Sequence, residues 1–335
     1  MDMNMTMETA LPLIFLTVMG LAMMLYAVLD GFDLGVGILL PWASDAQKDT
    51  MVASIGPFWD ANETWLVLGV GVLLIAFPMA HGIVLTALYL PVALMLLGLT
   101  LRGVAFDFRV KVQASHKPLW NKAFTAGSWI ASVSQGWMLG AYITGFRYDG
   151  VTLLFCVGIA LTLPGTYALL GAGWLIMKTE GPLQSLAVKW ARRTLMPMGI
   201  ALAAISVATP IVSETVFDKW FALPGLFALA PIPITTAAAF WVLWHVLHRP
   251  RIIEAGYGGL VFASTVLIIV MATIGLAYSI YPYVVMDRLT VWQAASSTDA
   301  LKMILVGVAI TLPAILGYTV FVYRVFWGKA TVLKY

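Results

Sequence analysis

Residues 11–40 read LPLIFLTVMGLAMMLYAVLDGFDLGVGILL. This run is apolar from end to end except for Asp30 and Asp33, and Pro41 follows it. About 20 apolar residues are enough for an α-helix to cross the hydrocarbon core of a bilayer. The run therefore predicts a transmembrane helix with turns to spare, and two carboxylates inside it.

The same pattern continues along the chain. Further apolar runs lie at residues 57–77, 79–101, 124–145, 151–177, 195–212, 224–247, 256–280 and 302–327. Of the 335 residues, 61% are hydrophobic and 10% are charged, whereas a soluble domain has about 25% charged residues. We predict an all-α integral membrane protein of about nine transmembrane helices, with residues 1–335 as a single polytopic membrane domain. Residues 1–10 carry no basic side chain, so we expect no signal peptide there.

The basic residues predict the orientation of the chain. Loops that alternate along the sequence differ sharply in Lys and Arg content: one set contains only Arg147, Lys219, Arg288 and Lys302, and the other holds the rest of the 19. Cytoplasmic loops carry an excess of Lys and Arg. The split predicts an odd number of spans, with the N-terminus outside and the C-terminus in the cytoplasm. It also accounts for the basic balance of the chain without a nucleic-acid partner.

Three polar motifs interrupt the first three apolar runs. They read DGFDLGVG at 30–37, PFWDANETW at 57–65 and RGVAFDFR at 102–109. Under the predicted topology, all of their charges lie toward the cytoplasmic half of three consecutive helices. Charged side chains are costly inside a membrane and usually mark function, and carboxylates in a medium of low dielectric constant can exchange protons near neutral pH. The motifs predict a proton-uptake path that opens toward the cytoplasm.

A structural role for the same residues is an alternative. Asp30 and Asp33 could hold a helix end while Gly31 and Gly35 pack against a neighbouring helix. Arg102 could anchor its helix at the interface and pair with Asp107. Asp60, which follows Trp59 in an apolar context, favours a functional role.

No residue pattern in this chain predicts a cofactor bound by the chain alone. The four histidines, His81, His116, His245 and His248, lie at predicted helix ends or in loops, and no metal-ligand spacing is present. Cys156 is the single cysteine, so it cannot form a disulfide within the chain, and we expect a buried, inert thiol. We predict no catalytic site that is complete within this chain.

Taken together, the three motifs resemble subunit II of the cytochrome bd-type quinol oxidases. A further similarity lies at residues 282–301, with Trp292-Gln293-Ala294 and Ser296-Ser297, before the last predicted helix. The likeness spans nearly the whole chain. The compact length, with a short connection between the fifth and sixth predicted helices, is similar to the cyanide-insensitive branch of that family.

This resemblance implies a fold, an activity and partners. The fold is two four-helix bundles plus one peripheral helix, in the bacterial cytoplasmic membrane. The enzyme is a quinol:oxygen oxidoreductase, which oxidises quinol and reduces dioxygen to water. This chain is implied to be a haem-free scaffold for an obligate partner, subunit I, which carries haems b and b/d. A small single-helix accessory subunit, quinone and lipids are implied as further partners.

The resemblance also implies roles for the site residues. The position of Asp60 belongs to a cytoplasmic proton pathway toward the haems, and the region of Trp65 lies near a hydrophobic dioxygen route in some members. Glu63 departs from the pattern, because some members have an uncharged side chain there. We predict Asp60 as the central relay, with Asp33 and Asp107 as helpers. The remaining predicted site residues are Asp30, Glu63, Arg102 and Trp59.

Two other function classes fit the sequence. In an ion-coupled secondary transporter, the cytoplasmic carboxylates would bind a coupling ion, and discontinuous helices should occur in paired halves. The Gly and Pro interruptions at residues 31–37, 164–165 and 224–225 do not pair in this way. In a purely structural membrane anchor, the charges would serve only to pair helices.

Overall fold

The computed structural model describes residues 7–223 and 225–330, and these residues are almost entirely helical. Residues 1–6, part of the segment expected to lack a signal peptide, and Pro224, the first residue of the seventh predicted run, lie outside this description. In chain order the elements are α1 (Met7–Leu39), α2 (Asp45–Ile55), α3 (Trp59–Ala76), α4 (Pro78–Ala87), α5 (Tyr89–Lys111), α6 (Lys117–Ile143), α7 (Gly150–Lys178), α8 (Gly181–Val212), α9 (Glu214–Phe221), α10 (Gly225–Leu229), α11 (Pro231–Leu247), α12 (Pro250–Ile252), α13 (Gly259–Ile280), β1 (Tyr283–Val285), β2 (Leu289–Thr290), α14 (Val291–Ala294) and α15 (Thr298–Val325).

Eight helical segments in the described part of the chain are long and apolar enough to cross a membrane. The remaining long helix, α6, has 27 residues and carries more polar side chains. It lies antiparallel to both neighbours, because Gly127 meets Arg102 of α5 while Gly136 and Gly140 meet Ala160 and Cys156 of α7. A helix that runs along two spanning helices must cross with them, so the prediction of an all-α membrane protein with about nine spans is confirmed.

The third predicted span, residues 79–101, is wrong in its boundaries. Pro78 begins the short helix α4, and Leu88 leaves the helical conformation before α5 begins. Pro91 lacks a backbone N–H, so it cannot continue the hydrogen-bond ladder of α4. As a result α5 starts at Tyr89 and runs on to Lys111, which places Arg102 well inside the helix rather than at its end.

A short helix that the sequence analysis did not predict, α2, lies between α1 and α3. A reciprocal capping box starts it: the Ser44 hydroxyl accepts from the Gln47 backbone N–H, and the Gln47 side chain accepts from the Ser44 N–H. The end of α2 is buried from Met51 to Ile55. Arg109, near the end of α5, donates to Asp49 of α2 over 2.7 Å and holds this helix against the bundle.

The long helices form two groups of four and one outlying helix. Contacts join α1, α3, α5 and α6 into one bundle, with Trp59 of α3 packed on Phe106 of α5 at 5.1 Å between ring centroids. Helices α7, α8, α11 and α13 form the second bundle. The two bundles meet where α7 packs along α1 and α6, and α15 lies outside, against α1 and α3. This arrangement matches the two bundles and peripheral helix that the resemblance implied.

Small residues bring α1 and α7 into close contact. A Cβ atom on Gly35 would lie 1.8 Å from the backbone oxygen of Tyr167, and one on Gly171 would lie 2.5 Å from the backbone of Gly35. Without side chains at these two positions, the helix backbones approach each other directly. Gly31 and Gly35 therefore do pack a helix interface. The predicted burial of Cys156 in α7 is also confirmed.

Both ends of α15 are fixed to the bundles. At its start, Ser296 donates its N–H to Ala76 O over 2.9 Å and its hydroxyl to Ile75 O over 2.7 Å, which caps the end of α3. At its end, the buried ammonium of Lys178 donates to the carbonyl oxygens of Phe326, Trp327 and Gly328. These contacts hold α15 against the side of α3 that carries the site.

Candidate functional site

Arg102 lies at the centre of a buried charge cluster. Its Nη2 donates to Asp30 Oδ1 over 2.5 Å and also to Glu63 Oε1. Asp30 is fully buried, Arg102 is 1% exposed, and the Glu63 side chain is 28% exposed. Three different helices, α1, α3 and α5, supply these residues, so the cluster forms only when the first bundle closes. The interpretation in which Arg102 pairs with Asp107 is wrong, because Arg102 points to the opposite side of α5.

Asp33 is held by a second, uncharged set of side chains. Asn62 of α3 donates its amide to Asp33 Oδ2 over 2.8 Å and to the backbone oxygen of Leu29 over 3.2 Å. The hydroxyl of Tyr323, on α15, donates to Asn62 Oδ1 over 3.2 Å. Asp33 and Asn62 are fully buried. Although Asp30 and Asp33 are three residues apart on α1, they therefore bind different partners.

Several polar atoms of the cluster are buried without a hydrogen-bond partner among the described residues. They are Asp30 Oδ2, Asp33 Oδ1, Arg102 Nε and Arg102 Nη1. Burying an unpaired polar atom costs free energy. Two of these atoms are carboxylate oxygens that can accept a hydrogen bond, and two are guanidinium nitrogens that can donate one.

Asp60 is exposed on the surface of the chain, in the first turn of α3. The carboxylate of Asp60 is therefore not buried within the described part of this chain. One helical turn along, Glu63 lies on the same side of α3, and the two carboxylates interact electrostatically. Glu63 thus connects a surface carboxylate, Asp60, to the buried pair of Arg102 and Asp30.

Asp107 is also exposed and lies on α5 outside the cluster. It follows Phe106, whose ring packs on Trp59, and Asp60 follows Trp59. The aromatic contact fixes α3 and α5 at this level, so both exposed carboxylates lie on the surface beside it. The structure does not bring Asp107 into contact with Arg102 or with the buried carboxylates.

Trp65 is fully buried beside the cluster, two turns into α3. Its indole N–H has no hydrogen-bond partner among residues 7–223 and 225–330. Trp65 follows Glu63 by two residues, so it lies where the polar start of α3 gives way to the apolar remainder of the helix.

Sequence reasoning missed the neutral side chains of the site. Asn62 stands inside the motif at 57–65 but carries no charge, and Tyr323 lies 261 residues away on the last helix. Three further buried residues, Tyr26, Gln135 and Tyr167, form a hydrogen-bonded group near Asp30. Tyr26 is four residues before Asp30 on α1, and this spacing was the one available signal, since residues four apart share a helix face.

The exposure of the four histidines bears on whether this chain could hold a haem. A b-type haem takes histidine ligands from inside a helix bundle, and none of the four histidines is buried there: His116 and His248 are exposed, while His81 and His245 are partly exposed. The imidazole of His245 stacks on the exposed Trp241. In the part of the chain that the structure describes, no three His, Cys, Asp or Glu side chains form a metal-binding group.

Several characterised proteins are similar to this chain. Cytochrome bd-I ubiquinol oxidase subunit 2 of Escherichia coli strain K12 is 27% identical, with 93% of each chain covered. Cytochrome bd ubiquinol oxidase subunit 2 of Bacillus subtilis strain 168 is 28% identical, covering 89% of this chain and 90% of the relative. A chain in the structure of bd oxidase from Geobacillus thermodenitrificans has the same fold, with a TM-score of 0.77, 17% identity and coverage of 95% of this chain and 98% of that one.

The family itself follows from a match over most of the length. The model of the family described as cytochrome bd terminal oxidase subunit II covers residues 11–326. That range runs from the first helix through the last and contains the whole charge cluster. A fold, a set of relatives and a family model thus agree, and the chain belongs to the cytochrome bd terminal oxidase subunit II family.

Proposed function

We propose that this chain is the haem-free subunit of a membrane quinol oxidase and that its charge cluster handles protons for a haem-bearing partner, subunit I. The two relatives described above are named as subunits of ubiquinol oxidases. In such a reaction, quinol is oxidised, dioxygen is reduced to water, and protons are consumed together with the electrons. In this proposal the haems b and b/d belong to the partner, in keeping with the partly or fully exposed histidines of this chain, and this chain contributes no complete catalytic site.

The observation that carries this proposal is the graded burial of linked carboxylates. Asp60 is exposed, Glu63 is partly exposed and Asp30 is fully buried, and Arg102 joins the last two. A proton can be exchanged between Asp60 and Glu63 because each of these carboxylates can hold it, while the buried Asp30 is the partner of Arg102 at the inner end of the series. A guanidinium in the middle limits the electrostatic cost of several negative charges in a low dielectric.

Within this series we assign Asp60 as the central relay, at the surface where protons pass to the partner. Asp33, which is buried and hydrogen-bonded to Asn62, acts as a helper in the interior of the bundle. Asp107 acts as a helper at the surface, next to the contact between Trp59 and Phe106. Trp65 bounds the polar region on its apolar side and is the residue next to which a dioxygen route would run.

The partner docks over the groove between α3 and α15. This groove, of about 470 Å³, is lined by residues that include Thr64, Val67, Gly71, Ile304, Gly307 and Thr311. Asp60, Thr64, Val67 and Gly71 follow one face of α3, so the groove continues directly from the relay carboxylate. Cβ atoms added to Gly71 and Gly307 would meet nothing within 4 Å, which leaves room for a transmembrane helix of subunit I.

The complex lies in the bacterial cytoplasmic membrane, with the N-terminus of this chain outside and its C-terminus inside. This orientation places α2, and the ends of α1, α5 and α7, on the cytoplasmic side. Protons then enter from the cytoplasm. A small single-helix accessory subunit, quinone and lipids complete the proposed partners.

The first experiment purifies the tagged chain from its native membranes in mild detergent. A second membrane subunit, a b-type haem spectrum and quinol oxidase activity should accompany it. A chain that is isolated alone and without colour would overturn the proposal, and transport assays in liposomes would then test the alternative of a transporter.

The proton role is tested by Asp60→Asn. Removing the relay carboxylate should lower oxidase turnover by about tenfold or more, since a positioned acid or base contributes at least that much. Haem content and subunit ratio should stay at the level of the native complex. Asp299→Asn removes another exposed carboxylate, at the start of α15, and is the control variant, which should keep full turnover. Full activity in Asp60→Asn would contradict the relay.

A further inference from the structure

Three buried polar side chains link three helices about one helical turn from the charge cluster. Tyr167 of α7 donates its hydroxyl to Gln135 Oε1 over 2.7 Å, and Gln135 of α6 donates through Nε2 to the hydroxyl oxygen of Tyr26 over 2.8 Å. The three residues are 3%, 9% and 4% exposed, respectively. Polar groups that are this deeply buried are costly unless they serve one another or a nearby charge.

The direction of these hydrogen bonds leaves one donor unused. The carboxamide of Gln135 accepts from one tyrosine and donates to the other. Tyr26 therefore receives a hydrogen bond, and its own hydroxyl hydrogen remains available. Asp30 lies four residues further along α1, on the same helix face, and is the charged group that interacts most strongly with the Tyr26 hydroxyl.

Asp30 has a carboxylate oxygen that could accept the hydrogen bond from the Tyr26 hydroxyl. Its Oδ1 receives the hydrogen bond from Arg102, whereas its Oδ2 is buried and has no partner in the described part of the chain. A hydroxyl donor one helical turn away is the group that can satisfy this oxygen. Arg102 and Tyr26 together would then provide each oxygen of Asp30 with a donor.

Asp33 has a different set of hydrogen-bond donors from Asp30. It receives one hydrogen bond, from the neutral amide of Asn62, and its Oδ1 is buried without a partner among the described residues. Among the described residues no cation forms an ion pair with Asp33, since Arg102 is bonded to Asp30 and Glu63. The two carboxylates of the motif at 30–37 thus have unequal donor sets.

We propose that Tyr26, Gln135 and Tyr167 are positioning residues that hold Asp30 as a permanent anion, so that the exchangeable proton of the cluster resides on Asp33 or Glu63. This inference rests on the proposed proton function and assigns separate roles within it. Gln135 and Tyr167 act through Tyr26, because they orient its hydroxyl hydrogen away from themselves and toward Asp30.

The groups that face Asp30 determine the expected sign. In the described residues they are Arg102 on α5, Glu63 on α3, Tyr26 and Asp33 on α1 and Tyr167 on α7, with Tyr323 of α15 beyond Asp33. Tyr26→Phe removes a neutral donor that can stabilise the anion of Asp30. Asp30 should then compete for the exchangeable proton, and this proton should be released only at higher pH.

The test measures oxidase turnover against pH in the purified complex. In Tyr26→Phe the inflection of the profile should move to higher pH by about one unit, the size expected for loss of a hydrogen bond to a charged group. Tyr167→Phe breaks the hydrogen bond to Gln135, which is linked to Asp30 only through Tyr26. It should shift the pH profile in the same direction, but by a smaller amount than Tyr26→Phe does. If Tyr26→Phe does not accumulate in the membrane, the pH profile of Tyr167→Phe alone tests the positioning role.

The control is Tyr142→Phe, because its hydroxyl donates to Val284 O over 2.6 Å, on the part of α6 remote from the cluster. Its profile should match that of the native complex. If Asp60→Asn slows turnover but Tyr26→Phe and Tyr167→Phe both keep the native profile, the positioning role is overturned and the proposed function stands. If Asp60→Asn has no effect, the proposed function itself fails.

Discussion

Arg102 faces two carboxylates with a single guanidinium group, and a third carboxylate, Asp33, lies close by and forms no ion pair within the described residues. If all three carboxylates were ionised, the cluster would carry a net negative charge inside the membrane. Such a charge is costly in a medium of low dielectric constant. The arrangement therefore favours retention of a proton by the cluster as a whole, and Arg102 sets how many negative charges can coexist.

Replacing Arg102 by Met should destabilise the chain strongly. Asp30 would be left buried without its ion-pair partner, and breaking a buried pair from one side costs about 3–5 kcal/mol. We expect a large fall in the melting temperature of the purified complex, or loss of the chain from the membrane.

Glu63→Gln provides the matched comparison. Glu63 is partly exposed, and the amide oxygen of Gln can still accept from Arg102, so the melting temperature should change little. Removing Asp30 together with Arg102, as Asp30→Asn with Arg102→Met, should recover part of the loss. Equal stability of Arg102→Met and the native chain would show that the buried pair is not formed.

The sequence predicted the charged half of this site and missed its neutral half. Asp30, Asp33, Glu63 and Arg102 are recognisable because charges inside apolar runs are rare and costly. Asn62 and Tyr26 give no such signal, since Asn and Tyr are ordinary residues in helices. Which acid Arg102 would bind also could not be predicted, because that depends on how α1, α3 and α5 are rotated about their axes.

At the scale of helices, the hydrogen-bonded group of Tyr26, Gln135 and Tyr167 depends on the contact between α1 and α7. Gly35 and Gly171 allow these helices to touch, and the same contact places Tyr167 beside α1. The apolar runs predicted most helices of the bundle, but α2 and α4 were missed. Short helices lack a long apolar run, and the break at Leu88 is a matter of local backbone geometry.

Gly35→Ala should separate α1 from α7. The new Cβ atom would lie 1.8 Å from the Tyr167 backbone oxygen, which is far inside van der Waals contact, so the helices must move. Overpacking of this kind costs about 1–3 kcal/mol, and a backbone clash places the cost at the upper end of that range. The melting temperature of the purified complex should fall, and oxidase turnover should fall with it.

Gly165→Ala on α7 is the matched control. A Cβ atom at residue 165 would meet nothing within 4 Å, and Ala favours the helix more than Gly does, so this variant should be as stable as the native chain or slightly more stable. If the two variants melt at the same temperature, the close approach of α1 and α7 is not needed for the stability of the bundle.

At the scale of the whole molecule, the number of long helices and the distribution of basic residues predict the orientation. The positive loops contain the ends of α5 and α7, where Arg109 and Lys178 also make structural contacts. The arrangement of the nine long helices into two bundles could not be read from their lengths and required the resemblance. The contacts between the helices now supply it.

Cysteine labelling tests this orientation. The native Cys156 is buried, so the unmodified chain should not react with a membrane-impermeant maleimide. Asp299→Cys, exposed at the start of α15, should be labelled in spheroplasts, in which the outer layers of the cell are removed and the cytoplasmic membrane is still sealed. Ser115→Cys, exposed between α5 and α6, should be labelled only after the cytoplasmic membrane is permeabilised. The reverse pattern would invert the proposed topology.

The depth of Asp30 has an electrical consequence. Roughly 14 Å of helix separates Asp30 from Leu39, the last residue of α1, at about 1.5 Å per residue. A proton that reaches the cluster from that end crosses part of the membrane's electric field, and a full crossing is worth about 2.3 kcal/mol per 100 mV. In the proposed orientation, the proton moves against a potential that is negative inside. Each uptake step therefore adds charge to the membrane capacitor, and the voltage that accumulates slows the next step.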